Sequence, residues 1–214
     1  MRSISKYNIF IIFFAFLIMP VAASAQVKPT ETPSAKTEKT NKSTVPLTLK
    51  DLSIDFPDVD GWERSVIQKY PTAELGYSIN YESVEGGRIT IYVYNGGKKN
   101  IPSDITDKTV KNEMKNAKSE IQQVSKAGYY QDVKEIKNDT VTLGGTAGKI
   151  KALHSLFNFS VRGQNLTSEI YLFGYQNDFI KIRATRSRED DKIENKAVSK
   201  LFAELDALFS KPSL

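Results

Sequence analysis

The chain has 214 residues, no cysteine and a single histidine. These counts exclude a disulfide framework, a thiolate metal site and a cysteine nucleophile, and they exclude a metal cluster built on several histidines of one chain. The formal net charge of +5 arises in the first fifty residues, because acidic and basic residues balance from Asp51 onward. A nucleic-acid module carries its basic excess on the folded domain itself, so we expect no nucleic-acid partner.

The first 25 residues have the three parts of a secretory signal peptide. Arg2 and Lys6 give a positive start, residues 9–19 are an uninterrupted apolar run, and residues 23–25 (Ala-Ser-Ala) match the pattern that a signal peptidase accepts. The run is too short to cross a membrane comfortably. We therefore expect an exported, periplasmic or secreted protein with no stable membrane insertion after removal of the leader. An uncleaved leader that acts as an anchor is the alternative.

Residues 26–48 consist mainly of Pro, Thr, Ser and Lys, with almost no apolar side chain. Such a segment buries too little surface to offset its ordering entropy, so it is predicted to be a disordered linker. A single globular domain is then predicted over residues 49–210, followed by a short tail at 211–214.

The domain begins with three predicted strands, at residues 64–70, 75–82 and 88–94. Alternation is clear in the third, where Ile89, Ile91 and Val93 oppose Tyr92 and Tyr94. The Gly-Gly pair at 86–87 predicts a hairpin between the second and third strands.

A long helix is predicted next, from a cap at Ser103 or Asp104 to Ala127, with Gly128 ending it. Its apolar positions recur at four-three spacing, which predicts a narrow stripe that packs on a sheet. They are Val110, Met114, Ala117, Ile121 and Val124.

Three more strands are predicted at residues 129–137, 140–143 and 149–161, with a turn at Asn138-Asp139. The glycine-rich residues 144–148 precede a strand and not a helix, so a turn is favoured over a phosphate-binding loop. His154 lies in the last of these strands without an evident acid and serine partner, and we interpret it as structural.

A hairpin over residues 166–186 forms the centre of the predicted sheet, with its turn at residues 176–178. In the second strand of this hairpin, Lys181 and Arg183 share the face opposite Ile180 and Ile182. We expect Tyr171 of the first strand to accompany the two cations. This aromatic and cationic face is predicted either to be covered by a helix, with the cations at its rim, or to bind a ligand.

A C-terminal helix is predicted over residues 188–209, with an acidic first turn at residues 189–191 that suits the helix dipole. Its broad apolar stripe predicts docking on a sheet. The fold class is therefore α+β: a mainly antiparallel sheet on which a long middle helix and a C-terminal helix pack.

The element order behind a signal peptide resembles the PsbP/Mog1/DcrB group of α/β/α sandwich domains. The resemblance rests on Gly61-Trp62 and on residues 75–79 (LGYSI) and 179–183 (FIKIR). It implies a binding or accessory module of the cell envelope, and it carries no catalytic residues with it.

We therefore expect a non-catalytic, exported binding or accessory domain without a cofactor or metal, whose partner is an envelope protein or a small ligand. The candidate binding residues lie on the predicted aromatic and cationic face: Tyr92, Tyr94, Tyr171, Lys181 and Arg183. A hydrolase that uses paired carboxylates is the alternative. Its candidate acids are Asp58, Asp60, Glu63, Glu74 and Glu82.

Overall fold

The computed structural model describes residues 54–83, 87–188 and 196–211. The predicted leader, the predicted linker, the acidic turn at 189–191 and the tail from 212 lie outside these residues. The described elements are β1 (Glu63–Arg64), β2 (Gln68–Lys69), β3 (Tyr77–Ser83), β4 (Gly87–Tyr94), α1 (Lys108–Lys126), β5 (Gln131–Thr142), β6 (Lys151–Val161), β7 (Gln164–Tyr175), β8 (Asp178–Ser187) and α2 (Lys196–Phe209).

The strands form an eight-stranded antiparallel sheet in the order β1-β3-β4-β8-β7-β6-β5, with β2 also paired to β3. Strand β5 lies at one edge, and the short strands β1 and β2 lie at the other. This architecture confirms the predicted α+β class, with a mainly antiparallel sheet, a longer middle helix and a C-terminal helix.

The central hairpin of β7 and β8 turns through two residues, Gln176 and Asn177. Both have positive φ angles, of 49° and 67°, which the right-handed twist of a two-residue hairpin requires. Asp178, which was predicted to belong to the turn, instead pairs with Tyr175 as the first residue of β8.

Helix α2 packs on the sheet face formed by the apolar residues of β3, β4 and β8. Leu201, Leu205 and Phe209 of α2 are buried in this core together with Ile180 and Ile182. The segment before β1 closes the same core, and the indole Nε1 of Trp62 donates a hydrogen bond to the carbonyl of Ala197 at 3.0 Å. Asp206 of α2 is also buried, and its carboxylate accepts the backbone N–H groups of Lys149 and Ile150.

Helix α1 packs on the opposite face, over the apolar residues of β6, β7 and β8. Its buried stripe of Val110, Met114, Ala117 and Ile121 contacts a core that contains Phe157, Phe159, Ile170, Leu172 and Phe179. The predicted stripe is confirmed at these four positions of α1. The sheet therefore lies between the two helices.

Three predicted boundaries are wrong. The strand predicted at 64–70 is two strands of two residues each. Helix α1 begins at Lys108, because the side chain of Asp104 accepts the N–H of Thr106 within a preceding turn, and Asp107 caps the helix instead. The turn predicted at Asn138-Asp139 is also absent, since both residues pair with β6 inside the continuous strand β5.

Among the described residues, no helix combines the length and the apolar character that a membrane crossing requires.

Candidate functional site

The sheet face that α1 contacts has an apolar half and a polar half. The apolar half lies under α1, whereas β3, β4 and the adjoining part of β8 present polar side chains on the same face. The register arranges them in three cross-strand rows. The rows, which we call the polar half-face, are Ser78, Tyr92 and Lys181; Asn80, Thr90 and Arg183; and Glu82, Arg88, Thr185 and Ser168.

The first row is organised around Lys181. Its Nζ lies 5.0 Å from the ring centroid of Tyr92 and 5.4 Å from that of Tyr94, which is cation–π distance. The same Nζ donates to Oε2 of Glu120 on α1 at 3.0 Å. The Tyr94 hydroxyl donates to the buried Glu113 at 2.8 Å. Burial and the neighbouring Glu113 carboxylate raise the pKa of Tyr94 well above its ordinary value.

The second and third rows are joined through Arg183. Its Nε donates to Oγ of Ser168, and its Nη2 donates to the Tyr130 hydroxyl, each at 3.1 Å. Ser168 is fully buried and hydrogen-bonded to Thr185 at 2.9 Å. The hydroxyl groups of Ser168 and Thr185 are thus buried in the sheet surface, and the part-exposed side chain of Arg183 lies over them.

The structure brings together four of the five predicted binding residues: Tyr92, Tyr94, Lys181 and Arg183. It separates the fifth, because Tyr171 pairs with Ile182 and therefore lies on the α2 face. The expectation that Tyr171 accompanies the cations was wrong, since residues directly opposite in an antiparallel pair share a face and Leu172 is the residue opposite Lys181.

A second polar cluster lies on the α2 face around His154, which is 3% exposed. Nδ1 of His154 lies 2.7 Å from Oδ1 of Asp139 on β5, and Nε2 lies 2.8 Å from Oε2 of Glu169 on β7. The Tyr171 hydroxyl donates to the same Glu169 oxygen at 2.6 Å. Nη1 of Arg186 lies 2.7 Å from the other Glu169 oxygen. His154 therefore has two acid partners that were not evident from the sequence.

The electrostatics of this cluster follow from its alternating charges. Burial opposes charge on Glu169, but hydrogen bonds from His154 and Tyr171 and the charge of Arg186 lower its pKa to about 2. Burial would likewise lower the pKa of His154, yet the bonds to Glu169 and Asp139 outweigh it and raise that pKa above its ordinary value. Hydrogen bonds from Lys137 and then from His154 hold the pKa of Asp139 below its usual range.

This arrangement does not suit His154 to act as a general base. A base needs a free nitrogen lone pair, and both ring nitrogens of His154 are already engaged with carboxylates. Within the described residues, no group of three or more His, Asp or Glu side chains has a geometry that could hold a metal ion. The cluster thus joins strands and does not present a reactive group.

The five candidate acids of a hydrolase are all solvent-exposed. Asp58 pairs with Arg64, Asp60 with Lys200 and Glu82 with Arg88. Glu63 and Glu82 face each other across β1 and β3, but neither is withdrawn from water. The catalytic acid of such enzymes lies in a pocket that excludes water, and this exposed pair lacks such a pocket.

The glycine-rich residues 144–148 form a turn with one short 3₁₀ segment, and β6 follows them. The backbone N–H groups of Lys149 and Ile150, just beyond the turn, are bound by the carboxylate of Asp206. An internal carboxylate therefore holds the donors that a bound anion would require.

Sequence reasoning missed Asp139 and Glu169 as partners of His154. Each lies 15 residues from His154, one before it and one after it. Two antiparallel hairpins that share β6 produce this symmetry, so only the strand register could have identified the pair.

A comparison with protein-family models finds no match for this chain, and a comparison with curated proteins finds none either.

Proposed function

We propose that the protein is an exported, non-catalytic binding or accessory domain of the bacterial cell envelope, and that a protein partner docks on the polar half-face. The observation that carries the proposal is the division of the α1 face, where polar and aromatic side chains continue the sheet beside the helix. A sheet surface that serves only to pack against an element of the same chain would be apolar, as the surface beneath α1 is.

The composition of the polar half-face supports a protein partner. Tyr and Arg are the residue types that carry much of the energy in protein interfaces, and Tyr92 and Arg183 lie side by side in adjacent rows. Lys181 is paired with Glu120, and Arg88 with Glu82. Carboxylates thus pair with two of the three cations of this face and Arg183 adds one positive charge, an excess too small to favour a strongly anionic ligand.

Two further observations support the remaining parts of the proposal. The apolar run behind Arg2 and Lys6, followed by residues 23–25, supports export. The order of strands and helices supports the resemblance to the PsbP/Mog1/DcrB group, whose members serve as binding or accessory modules. A small ligand in place of a protein remains the alternative occupant of the same face.

Affinity capture from bacterial envelope extract tests the proposal. The bait is the chain without its leader, and the test variant combines Tyr92→Phe with Arg183→Lys. Tyr92→Phe keeps the aromatic ring but removes its hydroxyl. Arg183→Lys keeps the positive charge but removes the planar guanidinium. The control is Arg162→Lys, at the exposed turn between β6 and β7.

We expect one protein to be recovered with the native and control baits and to be reduced at least tenfold with the double variant. Thermal unfolding establishes that the variants fold. Equal recovery of that protein with the double variant would contradict the docking face. Recovery of a small molecule alone, seen by native mass spectrometry, would replace the protein partner with a ligand.

A further inference from the structure

His154 occupies a position that requires two protons on its ring. Its two nitrogens lie 2.7 Å and 2.8 Å from carboxylate oxygens of Asp139 and Glu169. An ionised carboxylate only accepts hydrogen bonds, and a neutral imidazole has only one N–H to donate. Both contacts are hydrogen bonds only if the ring is an imidazolium.

The surroundings of the two carboxylates keep them ionised. Glu169 also accepts the hydroxyl of Tyr171 and faces the guanidinium of Arg186. Asp139 faces the ammonium of Lys137 at 2.8 Å. These neighbours of the two carboxylates are hydrogen-bond donors or cations, and they favour the ionised form of both acids.

We propose that His154 is a doubly protonated clamp that fastens the edge strand β5 to β7 through β6, and that loss of its second proton as the pH rises releases Asp139 while Glu169 stays in place. The charged and titratable groups that face the clamp are Lys137 and Asp139 on β5, Glu169 and Tyr171 on β7, and Arg186 on β8. From α2, the described contact is the ring of Phe202 on Tyr171.

The asymmetry of the two carboxylates determines which contact is lost. The Glu169 side chain is 12% exposed and keeps the hydrogen bond from Tyr171 and the ion pair with Arg186 when the ring is neutral. The Asp139 side chain is 34% exposed and keeps only its bond from the more exposed Lys137 among these contacts. Water can replace the lost hydrogen bond at Asp139 but not at Glu169, so the neutral ring keeps its N–H toward Glu169.

Strand β5 is the part of the sheet that such a release would affect. Among the described strands it pairs with β6 alone, and its register shifts between Gln131 and Lys134 and again between Glu135 and Lys137. Asp139 lies two residues beyond Lys137, at which regular pairing resumes after the second shift, and such an irregularity locally disrupts the ladder. The clamp therefore reinforces the edge strand close to its least regular pairing.

The test uses the full chain with nitrogen-15 histidine and a purification tag that contains no histidine. Because the chain has one histidine, the spectrum contains a single imidazole ring. At pH 6.5, the ordinary pKa of a histidine, we expect most of the rings in the folded protein to carry protons on both nitrogens. We also expect the titration midpoint of the folded protein to lie above that measured in urea. A folded-state midpoint at or below the urea value would overturn the proposal.

Two variants and one control sharpen the result. Glu169→Gln should lower the titration midpoint more than Asp139→Asn does, since Glu169 is the more buried carboxylate. Glu204→Gln, on the exposed side of α2, should leave the midpoint unchanged. Equal midpoints in the native protein and both variants would contradict the clamp.

Hydrogen exchange on the native chain distinguishes local release of β5 from destabilisation of the whole domain. This measurement needs no variant. Across the titration of the ring, protection factors of β5 amides should fall at least about threefold, while those of β7 stay constant. Equal loss of protection in β5 and β7, or none in either, would overturn the assignment of β5 as the released strand.

Discussion

The guanidinium of Arg186 and the carboxylate of Glu169 form an ion pair of 2.7 Å on the α2 face of the sheet, where their side chains are 14% and 12% exposed. Removing one charge of such a pair leaves the other without its partner in a poorly hydrated place. Glu169→Gln should therefore lower the free energy of unfolding by about 3 kcal/mol, measured by urea denaturation.

The exposed Glu204 offers the matched control for this substitution. Glu204→Gln should change the free energy of unfolding by less than about 0.5 kcal/mol, as surface substitutions generally do. A loss of similar size in the two variants would mean that the cluster around His154 does not contribute specifically to stability.

The same cluster predicts the pH dependence of stability. The pKa of Glu169 falls from its ordinary value of 4.5 to about 2 on folding. By linkage, this shift adds about 3 kcal/mol to the free energy of unfolding. The added stability is present above pH 4.5 and disappears as the pH falls toward 2. The pKa of His154 rises above 6.5 on folding. The stability that this shift adds is complete below pH 6.5 and disappears as the pH rises through the pKa of His154 in the folded protein.

Stability should therefore reach its maximum between pH 4.5 and 6.5, the ordinary values of the two groups. Urea denaturation across a pH series measures this profile. Glu169→Gln should flatten its acid limb, because the variant has no carboxyl group to protonate at that position. An unchanged acid limb in the variant would assign the acid sensitivity to other carboxylates.

A second internal carboxylate, that of Asp206, holds α2 to the start of β6. Asp206→Ala removes the acceptor of two backbone N–H groups, and leaving such groups unpaired should cost about 2 kcal/mol or more. Asp206→Asn keeps one acceptor oxygen and should cost less than half as much. Urea denaturation, followed by the fluorescence of Trp62, measures both.

Trp62 is suited to this measurement because it is the only tryptophan and its indole bonds to the first turn of α2. The transition seen by Trp62 should coincide with that seen by circular dichroism. Equal losses for Asp206→Ala and Asp206→Asn would show that the backbone N–H groups find other partners.

Gly174 in β7 lies against the segment before α1. A Cβ atom at this position would meet the carbonyl oxygen of Pro102 at 2.0 Å, so Gly174→Ala must displace that segment. The cost should be about 3 kcal/mol, at the upper end for overpacking. Gly163→Ala, where nothing lies within 4 Å but φ is +80°, should cost only the backbone strain of about 1–2 kcal/mol. Thermal unfolding compares the two, and an equal cost would contradict the close approach.

Patterns within one segment predicted the fold well, and patterns between segments did not. The stripe of α1 at Val110, Met114, Ala117 and Ile121 could be predicted because helical periodicity lies within a single stretch of chain. The two-residue turn at Gln176-Asn177 was placed within one residue for the same reason.

The candidate sites depended on register, which local sequence does not contain. Alternation along a strand implies that Tyr171 and Leu172 point to opposite faces, but only pairing with Ile182 decides which face Tyr171 joins. Asp139 follows Asn138 in a dipeptide typical of turns. Pairing with β6 and the bond to His154 keep it inside a strand instead.

Site-specific photo-cross-linking in cells that produce the protein tests the central claim, docking on the polar half-face, most directly. One chain carries the photoreactive amino acid in place of Tyr92, and the control carries it in place of Ile136, which is 54% exposed on the far edge strand β5. We predict one discrete cross-linked protein from position 92, weakened by Arg183→Lys, and none of that size from position 136. The same product from both positions, or none from position 92, would contradict the account.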